Sequence, residues 1–156
     1  MEAAVGESTA PHLIALAGNP NCGKTTLFNR LTGLRYKVAN YPGVTVERKE
    51  GRTSLSTSGD NSEEIRLVDL PGIYTLSGTA VDERIAARAL LGQFEQDERP
   101  DLIVMVVDST HLERNLYLVS EMIDVGFPLV LALNMADLAE KQGVTIYKEL
   151  LSRTLG

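Results

Sequence analysis

The sequence predicts an α/β fold, a mostly parallel sheet with helices on both faces. Two observations carry that expectation. Short continuous apolar runs at residues 13–17, 102–107 and 129–133 have the composition of strands buried on both sides. Between them lie stretches of helical periodicity, and strands alternating with helices build parallel sheets through crossover connections. With 156 residues, 44% of them hydrophobic and 23% charged, the chain is long enough for one domain with a substantial core. No internal repeat or low-complexity tract interrupts the alternation.

Taken in order, residues 1–11 are small, polar and acidic and lack the charged-then-apolar layout of a signal peptide. They are expected to form a flexible tail before a domain spanning 12–156. The run 13–17 is the first strand. A helix follows over 25–31, with Leu27 and Leu31 on one face, and stops near Gly33, a residue suited to the position just past a helix end. Residues 44–55 are polar and alternating, as in an exposed strand nearer an edge. Across a Ser/Gly/Asp/Asn turn they meet 65–70, and the two are expected to pair as an antiparallel hairpin. A helix over 81–91 is expected to bury Val81, Ile85 and Ala89 and to expose Glu83, Arg84 and Arg88. The next places Leu112, Leu116, Val119 and Ile123 at 4-3-4 spacing, with Glu113, Arg114, Glu121 and Asp124 outside. A shorter helix is expected over 145–155. The loops 34–44 and 72–80 are long and are expected to be moving parts.

Composition excludes several classes. A net charge of −6 and a pI near 4.9 speak against a nucleic-acid-binding surface, and the basic residues are scattered along the sequence with no stripe interleaved with aromatics. A single cysteine, Cys22, makes no internal disulfide and suits a reducing compartment. The longest apolar run, 102–107, is far short of a membrane span.

The chemistry starts at Gly18-Asn19-Pro20-Asn21-Cys22-Gly23-Lys24-Thr25, a complete phosphate-binding loop between a strand and a helix. Its backbone N–H groups form an anion nest, and the following helix adds its unpaired N–H groups and positive dipole end. Lys24 is placed to reach β- and γ-phosphates, and the Thr25 hydroxyl to ligate Mg²⁺. This makes the fold a P-loop NTPase. Asp69-Leu70-Pro71-Gly72 ends a strand, so Asp69 is expected near the metal through a water and Gly72 is expected to give its N–H to the γ-phosphate. Asn134-Met135-Ala136-Asp137 follows the last apolar strand. Asp137 can accept from N1–H and the 2-amino group of guanine, which adenine cannot offer, and Asn134 is expected to brace the phosphate loop. Thr45, between the two phosphate motifs, occupies the place of a γ-phosphate-sensing threonine, hydroxyl to Mg²⁺ and N–H to phosphate. Together these point to GTP and GDP in a Ras-like G domain.

Ile73 stands where many such enzymes carry a water-orienting glutamine, so slow turnover is expected, with catalysis resting on backbone, Mg²⁺, Lys24 and an outside cation or partner. His12 and His111 read as ordinary surface or boundary residues, and Asp108 as a cap for the turn after its strand. Cys22 reads as a small filler of its loop, although an anion nest tends to lower a thiol pKa.

The segments 18–29, 40–47 (Asn-Tyr-Pro-Gly-Val-Thr-Val-Glu), 68–74, 112–118 (Leu-Glu-Arg-Asn-Leu-Tyr-Leu) and 132–137 together resemble the N-terminal G domain of FeoB, the bacterial ferrous iron transport protein B. Met135 fits this family as well. The resemblance implies the nucleotide-contacting set Gly18 to Thr26, Gly43, Val44, Thr45, Asp69, Gly72, Asn134, Met135 and Asp137, with Thr26 next to the metal-ligating Thr25. It implies a GTPase on the cytoplasmic side of the bacterial inner membrane, regulating ferrous-iron transport through its own spacer and membrane domains. It further implies slow hydrolysis stimulated by K⁺, with Asn21 a K⁺ ligand beside backbone carbonyls from the segment holding Thr45. A homo-oligomer through that segment is left open, and no iron-binding cluster is expected in this domain. The family continues into a further strand, a fifth nucleotide motif and a closing helix that this sequence does not include, so a C-terminally incomplete domain is expected. Two other readings stay open: a nucleotide-sensing module with incidental hydrolysis, and a GTPase linked to ribosomes or tRNA.

Overall fold

Six strands form one sheet, and their connections explain which pair in parallel. In the computed structural model, which describes residues 11–56, 62–94 and 98–156, the elements run β1 (His12–Gly18), α1 (Lys24–Thr32), β2 (Tyr36–Asn40), β3 (Glu47–Ser56), β4 (Ser62–Asp69), α2 (Val81–Leu90), β5 (Leu102–Asp108), α3 (Leu112–Asp124), β6 (Leu129–Asn134), α4 (Ala136–Lys141) and α5 (Lys148–Leu155). Their order in the sheet is β2-β3-β4-β1-β5-β6. Strands joined through helices, β4, β1, β5 and β6, are parallel, since a parallel pair needs a long crossover. β2, β3 and β4 follow one another with short connections and are antiparallel. The hairpin expected between β3 and β4 forms in register Ser56 to Ser62. Its turn, 57–61, and the tail expected at 1–11, except Pro11, lie outside the described residues.

Each face of the sheet has its own core. Leu16, Ile65 and Leu67 pack against Phe28 of α1, and Tyr36 meets Phe28 edge-on at 5.1 Å. On the other face Ala15, Ile103, Met105 and Val107 pack against Ile85 and Leu90 of α2 and Leu118, Val119 and Met122 of α3. Strands buried on both sides explain the unbroken apolar runs.

Several boundaries and faces differ from the expectation. Residues 36–40 are a strand, β2, inside what reads as a loop. Four of its five residues are exposed, so no buried face marks it, and pairing with β3 decides it. β3 begins at Glu47, not residue 44. In α1 the buried side chains are Lys24, Phe28 and Thr32, while Leu27 is half-buried and Leu31 exposed: the inward face is shifted by one residue because Phe28 fills the space over β1 and β4. Val81 is exposed in the first turn of α2, whose buried line is Ile85, Ala86, Ala89 and Leu90. Asn115, Leu118, Val119 and Met122 are the buried line of α3, flanked by half-buried Leu112, Leu116 and Ile123. The short helix α4 has too few residues to show periodicity, and α5 starts at Lys148 rather than 145.

Candidate functional site

Parallel strands deliver their C-terminal ends to one edge of the sheet, where doubly wound folds hold ligands. Register places Asp69 beside Leu16, Gly18 beside Val106 and Asn134 beside Asp108. The three motif-bearing loops after β1, β4 and β6 therefore meet there, although 112 residues separate Cys22 from Asn134.

At the centre Lys24 Nζ donates to Asp69 Oδ1 at 2.9 Å, and Thr25 Oγ1 donates to Asp69 Oδ2 at 3.0 Å. Lys24 and Asp69 are both buried. A buried carboxylate is costly unless paired and hydrogen-bonded, and Asp69 has both partners. Backbone bonds tie the loops further: Leu70 N–H donates to Leu16 O and Ile73 N–H to Gly18 O, each at 3.1 Å. Gly72 lies so close to the phosphate loop that a Cβ there would sit 2.9 Å from Pro20 Cα. Asn134 Nδ2 donates to Cys22 O at 2.9 Å, the brace expected for it. Gly23, at φ +93°, passes so near this amide that a Cβ would come within 2.0 Å of Nδ2.

The structure thus brings Pro20, Cys22, Gly23, Lys24, Thr25, Asp69, Gly72 and Asn134 together. Asn21, in left-handed backbone at φ 62°, is exposed, as is Thr26. Met135 is also left-handed, at φ 55°, and starts α4 with Asp137 in its first turn. A cavity of about 240 Å³ beside the loop is lined by Gly23, Thr26, Leu27, Val106, Leu133 and Asn134, so the base-side motif and the phosphate loop border one concavity. Thr45 is exposed in a turn closed by Tyr41 N–H donating to Val46 O at 2.9 Å; its side chain is not drawn into the Lys24 cluster. Tyr41 anchors this turn, with its ring fully buried and 5.3 Å from that of Phe94. Pro42, Gly43 and Thr45 stay exposed and Val44 half-buried.

The donor set fits a polyphosphate with a hard divalent cation. Thr25 and Asp69 supply oxygen ligands of the type Mg²⁺ takes, and Lys24 supplies the cation expected beside phosphates. Asn19 is buried with both amide atoms lacking a protein partner, an unused donor and acceptor within the loop. Among the described residues no three His, Cys, Asp or Glu side chains gather into a metal-holding group.

Cys22 behaves as a filler: burial pushes its thiol pKa up, outweighing the lowering by the Lys24 amide and charge, so the nest does not activate it. Ile73 is buried in the core, directed away from solvent. Asp108 caps the turn after β5, accepting from Thr110 N–H at 2.8 Å. His12 and His111 face Glu63, Asp101 and Asp108 at the surface.

Three contributors escape sequence reasoning. Glu121, expected on the outer face of α3, is half-buried and accepts from Thr75 Oγ1 at 2.7 Å and Leu76 N–H at 2.9 Å, fastening the loop after Gly72 to α3. Within the Leu-Glu-Arg-Asn-Leu segment, Arg114 lies 4.2 Å over the Tyr74 ring. Asn115 accepts from Asp108 N–H at 3.2 Å and donates to His111 O at 2.9 Å. The unusual residue order of that segment was the available signal; helical periodicity gave it no role.

The family model described as ferrous iron transport protein B matches residues 12–156. The chain belongs to the ferrous iron transport protein B family. It is 49% identical over 147 residues to the Fe(2+) transporter FeoB of Escherichia coli (strain K12), an overlap of 92% of this chain and 18% of that protein. It therefore spans less than a fifth of the curated relatives it matches. Among solved structures it is similar to the cytosolic domain of T. maritima FeoB in its GMPPNP form, with TM-score 0.82 and 42% identity over 93% of this chain and 54% of that one. A GDP-bound mutant of S. thermophilus NFeoB gives TM-score 0.77 and 46% identity, covering 91% and 52%. The fold is that of a P-loop GTPase G domain.

Proposed function

We propose that this chain is a Mg²⁺-dependent GTP-binding and slowly GTP-hydrolysing switch domain. It regulates ferrous-iron transport across the bacterial inner membrane, acting from the cytoplasmic side on spacer and membrane domains of the same protein. The observation that carries this reading is the buried Lys24–Asp69 pair, joined from the surface by the Thr25 hydroxyl, where the loops after β1 and β4 meet. GDP and GMPPNP in the named relatives support the ligand class.

In this reading the loop from Gly18 to Thr26 wraps the phosphates. Thr25 and Thr45 ligate the metal, and Asp69 holds it through a water. Gly72, packed on Pro20, senses the γ-phosphate through its N–H. Asp137 selects guanine, with Asn134 and Met135 shaping that side. Mg²⁺, when bound, supplies charge neutralisation at the β- and γ-phosphates. The 72–80 loop, fastened by Glu121, and the turn carrying Gly43, Val44 and Thr45, hinged on Tyr41, are the parts that respond to phosphate loss.

Because Ile73 is buried and has no side-chain amide, charge stabilisation falls to Lys24, the backbone and a K⁺ ion at Asn21. Asn21 offers a carbonyl oxygen from an exposed loop position, and a cation there takes the place of an arginine finger. The buried Ile73 also favours a second reading, a nucleotide-sensing module with incidental hydrolysis. Multiple-turnover phosphate release in potassium and sodium chloride at equal ionic strength separates the two. The switch-enzyme reading expects faster turnover in potassium, abolished by Asn21→Ala with GDP binding retained. No turnover in either salt, with GDP bound tightly, supports the sensing module.

A further inference from the structure

The chain is acidic overall, with a net charge of −6, yet folding gathers six of its cations around one concave surface. Arg30, Arg35, Lys37, Arg48, Arg52 and Arg66 border a groove of about 1110 Å³ at the end of α1 and along β2 and β3, and Glu50 is the lone carboxylate in its lining. Glu50 pairs with Arg48 at 3.1 Å and Arg66 at 3.0 Å, and Glu64 with Arg52 at 2.7 Å. Arg30, Arg35 and Lys37 make no ion pair among the described residues.

A second observation lies beside these three cations. Between α1 and β2 the backbone turns through two successive left-handed residues, Gly33 at φ 59° and Leu34 at φ 64°. A leucine disfavours that conformation, and this one gains no burial from adopting it: Leu34 is 70% exposed, with Val38 at 54% and Leu31 at 40% close by in sequence. Strand alternation sends Val38 to the same face of the sheet as Tyr36, the face that α1 covers, and Lys37 to the opposite face; β2 is the edge strand, so side chains of both faces border the exposed rim of the sheet.

We propose that the end of α1, the turn at 33–34 and β2 form a docking surface for an anionic lipid bilayer. Leu31, Leu34 and Val38 enter the boundary between headgroups and acyl chains, while Arg30, Arg35 and Lys37 meet the lipid phosphates. Apolar side chains flanked by Lys and Arg are the composition of an interfacial membrane contact. A bilayer accounts for more of the surface than an acidic polypeptide does. Leu34 and Val38 are outside the lining of the groove, so a peptide seated within it leaves them in water, whereas a bilayer covers them and the cations together. Net repulsion by the rest of the molecule is screened beyond about 8 Å at physiological salt, so a local patch suffices. The surface shares no residue with the Lys24–Asp69–Thr25 cluster, and the inference stands apart from the nucleotide reading.

The test is co-sedimentation of this chain with large vesicles of phosphatidylcholine, with and without phosphatidylglycerol. Binding is expected only with phosphatidylglycerol and is expected to fall as salt rises. A cation at an anionic surface contributes about fivefold to partitioning, so Arg35→Ala with Lys37→Ala weakens binding by about twenty-fivefold. Leu34→Ser, which removes only apolar surface, weakens it without changing its salt dependence. Thermal melting of each variant by circular dichroism checks folding, and either variant alone tests the surface if the other fails to fold. Equal sedimentation with neutral and anionic vesicles overturns the proposal, as does wild-type binding by a folded double variant. Release by low concentrations of soluble glycerol phosphate points to a single phosphate site and overturns it too. So does capture by immobilised polyglutamate with no binding to vesicles.

Discussion

Alanine at Gly23 and at Asn134, singly and together, tests whether the loop after β6 holds the phosphate loop in shape. The Asn134 amide donates to Cys22 O at 2.9 Å, and a Cβ on Gly23 would lie 2.0 Å from its nitrogen. Gly23→Ala must therefore expel the amide, losing a hydrogen bond of about 1 kcal/mol. It also places an L side chain at φ +93°, a left-handed strain of about 1–2 kcal/mol, for a total of about 2–3 kcal/mol. Asn134→Ala alone forfeits the same bond, about 1 kcal/mol. In the double variant the bond is lost only once and the clash has no partner. The pair should then cost about 2–3 kcal/mol rather than the summed 3–4, a coupling of about 1 kcal/mol, against the roughly 0.3–0.5 kcal/mol within which independent sites add. Urea unfolding followed by far-ultraviolet circular dichroism measures each arm of the cycle. Additivity across the cycle would refute the reasoning, because the amide and the loop would then not be in contact.

Other outcomes follow from single residues. Asp137→Asn should weaken GDP and shift preference toward xanthine nucleotides, since an amide can donate to the 2-oxo group; competition binding with GDP and XDP reads it. Glu121→Ala removes a charged acceptor from Thr75 and Leu76, a loss of about 1.5–3 kcal/mol to local order. Hydrogen exchange at the Leu76 amide should accelerate about tenfold or more, with little change at β1 or β5. Burial pushes the Asp108 carboxyl up, but the Thr110 hydroxyl and amide and the His111 ring outweigh it and hold it below the usual 3.8. Its stabilisation is complete above pH 3.8 and is lost as pH falls through the depressed value. The stability gap between wild type and Asp108→Asn should therefore close below that point in acid titrations of unfolding. Cys22, buried with a raised pKa, should react with iodoacetamide at pH 8 only as urea unfolds the chain, read by mass spectrometry.

Much of this molecule is written locally. A run such as Leu13 to Ala17, flowing into a glycine-bearing loop and then a helix, specifies its structure within a couple of dozen residues. Each phosphate or base motif sits at the end of such a strand, so fold class, motif placement and the Asn134 brace are legible in the sequence. Side-chain alternation and turn chemistry likewise specified the β3–β4 hairpin.

What the sequence by itself left undetermined depends on partners distant along the chain. β2 carries no buried face, so only its ladder with β3 makes it a strand. α1 turns Phe28 inward and leaves Leu31 out because the surface over β1 and β4 accepts a ring there, a shape no periodicity records. Glu121 reads as a solvent-facing helical carboxylate until the loop after Gly72 returns to meet it. The same holds for charge: Arg48, Arg52 and Arg66 lie well along the sequence from Arg30, Arg35 and Lys37, and only the antiparallel edge of the sheet, folded against the end of α1, brings the two groups to one surface.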